Sequence, residues 1–117
     1  GGVKRVVILG TAARARTLAA LIQNETLEGY ECVGFIHFPA GPVPQEVRAN
    51  VIGDLETLPT LARKLDLQAV IIALDEGTYP AALRVLAAHG AGSLEIKMLV
   101  GDPEPGKNSL IDLNFRN

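Results

Sequence analysis

The chain has 117 residues, 48% of them hydrophobic but only 4% aromatic, and eleven Lys and Arg stand against thirteen Asp and Glu for a formal charge of −2. That length suits a single domain over 1–117 with its own core, and so apolar a composition excludes disorder. Near-neutral charge and scarce aromatics exclude the basic faces and stacking platforms of nucleic-acid binding; one cysteine, Cys32, excludes an internal disulfide, and no apolar run reaches the ~18 residues of a membrane span.

The first strong signal is Arg5-Val6-Val7-Ile8-Leu9-Gly10. Consecutive β-branched residues without alternation predict a strand buried on both faces, as in a parallel sheet. From about Ala13 to Asn24 the pattern turns helical. Leu18, Leu21 and Ile22 form one stripe, and Arg14, Arg16 and Gln23 are free to face outward. Glu31 to His37 predicts the second strand, with Cys32 as a buried spectator. Residues 38–50 contain Pro39, Pro42 and Pro44 and predict a loop with at most one short turn. Val51-Ile52 predicts a very short third strand. A helix follows from about Leu55 to Leu65, with Pro59 near its first turn. Ala69 to Leu74 is the clearest strand of all. Asp75-Glu76-Gly77 turns the chain, Thr78 stands as an N-cap, and Pro80 lies inside the first turn of a helix that stops at Gly90. Leu94 to Leu99 predicts the fifth strand, 101–108 a loop, and Leu110 to Leu113 is a candidate edge segment.

Strands alternating with helices of this length predict right-handed βαβ crossovers. The expected fold is a Rossmann-like three-layer α/β sandwich with a five-stranded parallel sheet of order 3-2-1-4-5. Ligands bind such a sheet at the carboxyl ends of its strands, where the strand order reverses. Here that is the first turn, Gly10-Thr11-Ala12-Ala13-Arg14-Ala15, facing Asp75-Glu76-Gly77. The candidate ligand-binding residues are therefore Gly10, Thr11, Ala12, Arg14, His37 and Asp75.

Two features of a dinucleotide site are missing. The Gly-x-Gly-x-x-Gly/Ala turn needs its middle glycine so that backbone can touch the pyrophosphate, and Ala12 stands there. The acid expected at the end of the second strand is His37. No cofactor is assigned, and NAD or another nucleotide is a disfavoured alternative. A small anion remains a candidate, since a helix N-terminus offers free N–H groups and Arg14 and Arg16 lie in its first turn. The plainer readings are that both arginines are solvated, that His37 is a strand-end histidine in contact with water, and that Asp75 and Glu76 are turn and cap residues. No nucleophile elbow, Walker turn or metal cluster appears.

The series Gly29-Tyr30-Glu31-Cys32-Val33-Gly34-Phe35-Ile36, then Val51-Ile52-Gly53-Asp54-Leu55-Glu56-Thr57-Leu58-Pro59, then Val70-Ile71-Ile72-Ala73-Leu74, resembles a known family. It is similar to the Rossmann-like, CoA-binding-like domain of bacterial polysaccharide-biosynthesis proteins: polyprenyl-phosphate sugar-phosphate transferases and related nucleotide-sugar dehydratases. The family often reads Gly-x-Gly at the first turn and Phe-Ile-Asp after the second strand, where this chain has Gly10-Thr11-Ala12 and Phe35-Ile36-His37. The resemblance implies a cytoplasmic domain of a larger protein of the bacterial inner membrane, with the transferase or dehydratase chemistry carried elsewhere. The opening Gly1-Gly2, without Met, fits a domain taken from a longer chain. The implied role is non-catalytic regulation or scaffolding in an exopolysaccharide sugar-phosphate transferase of the undecaprenyl-phosphate glycosylphosphotransferase type. The alternative is a nucleotide- or nucleotide-sugar-binding module of a polysaccharide-biosynthesis enzyme. Expected partners are the parent's other domains, a second copy in a homo-oligomer, and a small anionic or nucleotide ligand; neither nucleic acid nor membrane contact is expected of this segment.

Overall fold

The structure is a computed structural model that describes residues 2–107 and 109–113. Its elements are β1 (Lys4–Leu9), α1 (Ala13–Gln23), β2 (Tyr30–His37), β3 (Val51–Asp54), α2 (Leu58–Lys64), β4 (Ala69–Ile72), α3 (Tyr79–His89), β5 (Glu95–Leu99) and β6 (Leu110–Leu113). Short 3-10 turns occupy Gln45–Asn50 and Glu76–Thr78.

The sheet has six strands in the order β3-β2-β1-β4-β5-β6, which corrects the expected five. The first five are parallel, in the predicted order. β6 runs antiparallel to β5, with Ile96 opposite Leu113 and Leu99 opposite Leu110. The connection explains the reversal. A parallel return needs a dozen or more residues and usually a helix, and the short 100–109 segment, with Pro103, Pro105 and Gly106, forms no helix among its described residues. Asn108, part of the loop read there, lies outside them.

The aliphatic composition fills two thin layers. In β1, Val6 and Ile8 point to the α1 side, where they join Ala15, Leu18, Ile22, Phe35 and Ile71. Val7 and Leu9 point the other way, onto Leu58, Val70, Ile72, Ala82 and Leu86 beneath α2 and α3. All four β1 residues are fully buried, as the two-faced reading predicts. The α1 stripe is Ala15, Leu18 and Ile22, with Leu21 only half-buried. Between β2 and β3 there is no α-helix, as the prolines of 38–50 predict; the turn at Gln45–Asn50 covers that face through buried Val47.

α2 starts at Leu58 rather than Leu55. Asp54 and Thr57 exchange hydrogen bonds, the Thr57 N–H donating to Asp54 Oδ1 at 2.9 Å and the Asp54 N–H to Thr57 Oγ1 at 3.0 Å. This holds 54–57 as a turn. Pro59 then sits in the first turn of α2, and Pro80 in the first turn of α3. Thr78 occupies the N-cap position of α3 without a side-chain capping bond.

Candidate functional site

At the carboxyl edge, β1, β2 and β4 converge on a cleft of about 250 Å3. Thr11 and Ala12 form one wall. His37, Phe38, Pro39, Gly41 and Pro42 form the second, and Leu74, Asp75 and Thr78 close the third. Thus four predicted residues, Thr11, Ala12, His37 and Asp75, meet around one space. Gly10 and Arg14 do not line it.

Gly10 has a packing role. Its φ is +131°, and a Cβ there would lie 2.4 Å from the carbonyl oxygen of Ala73. A glycine at this point lets the exits of β1 and β4 touch. The first glycine of the dinucleotide turn is thus retained for sheet contact.

Ala12 is the N-cap of α1, extended at φ −84° and ψ −170°, with no side-chain bond to the helix. The first intrahelical bond runs from Arg16 N–H to Ala12 O at 3.0 Å. The N–H groups of Ala13, Arg14 and Ala15 therefore lack intrahelical acceptors, as at any helix start.

His37 is held at both nitrogens. Nε2 lies 2.9 Å from the Gly41 carbonyl, and Nδ1 lies 3.2 Å from Thr11 Oγ1. A carbonyl cannot donate, so Nε2 carries the hydrogen. In the neutral ring, Nδ1 then accepts from the Thr11 hydroxyl. The histidine ties the first turn to the proline-rich loop and is more than a solvated strand end. Asp75 starts the 3-10 turn at Glu76–Thr78, yet its carboxylate makes no capping bond. It stands at the rim as an acceptor not used by the turn.

The two arginines are half-buried and hydrogen-bonded to the chain, not merely solvated as in the plainer reading. Arg16 Nη1 folds back to donate to the Thr11 carbonyl at 3.1 Å. Arg14 crosses to the far half of the sheet. Its Nη1 donates to the Leu74 carbonyl and to Tyr79 Oη, and its Nη2 donates to the carbonyls of Leu99 (3.2 Å) and Gly101 (2.5 Å). The guanidinium also stands 5.9 Å from the Tyr79 ring centroid. The buried Tyr79 hydroxyl reaches Leu99 O at 2.9 Å. A planar fork suits such a cluster of carbonyls, and their partial negative charge holds the cation away from the positive end of α1.

Sequence reasoning missed the loop walls Phe38, Pro39 and Pro42, although three prolines directly after a strand were visible. It also missed Tyr79, whose role depends on Arg14 sixty-five positions earlier. Elsewhere, burial pushes the Cys32 thiol pKa up, against a weak bond to Gly34 O, which suits a spectator. His89 sits in the last turn of α3, where a cation is favoured. Among the described residues there is no cluster of three metal-ligating side chains, and no helix is long and apolar enough to cross a membrane.

The strand order and the cleft at its reversal define a Rossmann-type α/β domain. No protein-family profile and no curated protein matches the sequence. Solved structures share the fold. The chain is similar to the UDP-D-quinovosamine 4-dehydrogenase of Vibrio fischeri, with a TM-score of 0.68, 14% identity, and 97% of this chain and 95% of that one covered. It is also similar to RSP, a Rex-family repressor, with a TM-score of 0.62 and 14% identity over 90% of this chain. The same repressor in complex with β-NADH gives 0.59 and 14% over 94% of this chain. The chain spans about half the length of the repressor. At such identities the likeness is one of fold.

Proposed function

We propose that this chain is a non-catalytic nucleotide-binding module of a bacterial polysaccharide-biosynthesis enzyme, acting as a regulatory domain. The observation that carries the reading is the cleft at the strand-order reversal, walled by Thr11, Ala12, His37 and Asp75. The fold likeness, over matching extent, to a UDP-sugar dehydrogenase supports the setting, and so does the family resemblance of the β2 and β3 segments. On this reading residues 1–117 form one cytoplasmic domain of a larger protein of the inner membrane, either a sugar-phosphate transferase or a dehydratase. The parent's other domains carry the chemistry.

Calorimetric titration with AMP, UMP, a UDP-sugar, NAD(H), CoA and a cyclic dinucleotide tests the reading. Binding of at least one is expected, and Ala12→Asp is expected to abolish it. The new carboxylate would cap α1 while repelling an anionic ligand at the same turn. Loss of binding with a raised melting temperature separates a blocked site from a damaged fold. Failure of every ligand to bind would overturn the reading and leave scaffolding, which Ala12 at the glycine position favours.

A further inference from the structure

The cleft is half of what the fold normally offers. In a doubly wound sheet of this order, a dinucleotide spans two mononucleotide halves, one over β1 to β3 and one over β4 to β6. Three observations set the second half apart. Arg14 lies across the carboxyl ends of β4 and β5, with its guanidinium on Leu74 O, Leu99 O, Gly101 O and Tyr79 Oη. β6 runs antiparallel, so its carboxyl end points away from that edge, and the described residues form no second βαβαβ unit. Finally, the cleft stops at Asp75 and Thr78, and its volume of about 250 Å3 falls below the roughly 300–1,000 Å3 of pockets that enclose drug-sized ligands.

We infer that the site takes a single nucleotide, and that Arg14 and Tyr79 are an internal plug excluding the second half of a dinucleotide or the sugar of a nucleotide sugar. This rests on the nucleotide reading above and narrows its ligand to a nucleoside mono- or diphosphate. The second half of NAD+ would have to displace a guanidinium from four acceptors or remain in water. Within the cleft, the apolar wall of Phe38, Pro39 and Pro42 faces the base. The hydroxyl acceptor, usually an acid at the end of β2, has moved across the cleft. His37 is spent on Thr11 and Gly41, whereas the Asp75 carboxylate is not used by its own turn. Asp75 is the acceptor for the ribose hydroxyls.

The test compares each mononucleotide with its extended form by calorimetry: AMP against NAD+, and UMP against UDP-glucose. Wild-type protein is expected to bind each pair with dissociation constants within about threefold, since the extension gains no contacts. Arg14→Ala, checked for folding by its melting curve, is expected to tighten NAD+ by about tenfold and leave AMP unchanged. Replacing AMP by its 2′,3′-dideoxy form should cost about tenfold in the wild type and nothing in Asp75→Ala, which has no side-chain acceptor. If NAD+ or UDP-glucose binds wild-type protein tenfold or more tightly than AMP or UMP, the plug is wrong while the nucleotide reading stands. If none of the four binds, this inference falls, and the nucleotide reading falls with it where CoA and the cyclic dinucleotide fail as well. The wild-type ratios decide the matter even if Arg14→Ala does not fold.

Discussion

At one edge of the same sheet, β1 and β2 end on a cleft that the β4 exit also walls, whereas the carbonyls beyond β4 and at the end of β5 meet a guanidinium. Both pairs of strands arrive with carbonyls and turn backbone that need partners. On the first side they are Thr11, His37 and the Gly41 carbonyl, which bond one another around a space. On the second they are Leu74, Leu99 and Gly101, which converge on Arg14. A parallel sheet therefore leaves an open cleft at its carboxyl edge only where the chain does not fill that edge itself. One residue, placed on α1, decides which half stays open.

The largest expected effect tests where the two halves join. Gly10→Ala puts a methyl 2.4 Å from Ala73 O at a φ of +131°. We expect a loss of about 3 kcal/mol in urea unfolding, from strain and forced separation of β1 from β4. A loss below about 1 kcal/mol would mean that the two exits part without cost, and the contrast between halves would lose its hinge.

Removing the guanidinium comes next. Arg14→Ala leaves the Leu74 and Gly101 carbonyls without this donor, while Leu99 O keeps the Tyr79 hydroxyl. A cost of about 2 kcal/mol is expected, measured by the same unfolding curves. Arg14→Lys should recover little of it, because a single ammonium cannot span both strand ends. Full recovery by lysine would reduce the plug to a point charge.

On the open side the sign reverses. Ala12 is an N-cap without a capping side chain, so Ala12→Asp is expected to stabilise the protein by about 1 kcal/mol, read as a raised melting temperature. A destabilised variant would show that the first turn is packed rather than open. The two halves would then be equally closed.

These sites were unequally legible in the sequence. The two-faced strands β1 and β4 stood out because burial on both sides leaves no polar alternation to obscure, and the strand order followed from the crossover rule. The cleft's corners, Thr11, Ala12, His37 and Asp75, were legible through those strands, since each lies at or within three residues of a strand's carboxyl end. Arg14 was placed in the right turn but given the wrong surroundings. Its acceptors lie sixty to eighty-seven positions away, and a local pattern carries no information about them. The sequence of β6 marks an edge segment but not its place in the sheet, because four edge residues fix neither direction nor pairing. Lys97 was invisible as a special residue. A lysine in a strand reads as solvated, yet this one is 8% exposed and donates to Asp112 on β6 at 2.5 Å.

That pair gives the smallest and most specific effect, on whether the filled half needs β6 to stay filled. The hydrogen bond to Asp112 raises the Lys97 pKa above the usual lysine range, outweighing burial. The same bond lowers the Asp112 pKa below the usual carboxylate range. A depressed carboxylate contributes stability that is present above its ordinary range and lost as pH falls through the lowered value. A raised lysine contributes stability that is present below its ordinary range and lost as pH rises through the raised value. The protection of the β6 amides against hydrogen exchange, corrected for the intrinsic pH dependence of amide exchange, should therefore be high and flat around neutrality and fall at both extremes. Asp112→Asn is expected to remove the acid limb and lower protection at neutral pH, because the ammonium at the end of the buried Lys97 stem loses its anion. Lys97→Met should stay close to wild type at neutral pH and lose both limbs, since the buried stem is replaced by an apolar one and no charge is stranded. If β6 protection, so corrected, keeps the wild-type pH dependence in Lys97→Met, the strand is held by its ladder alone, and the closure of the second half rests on Arg14 without help from the edge.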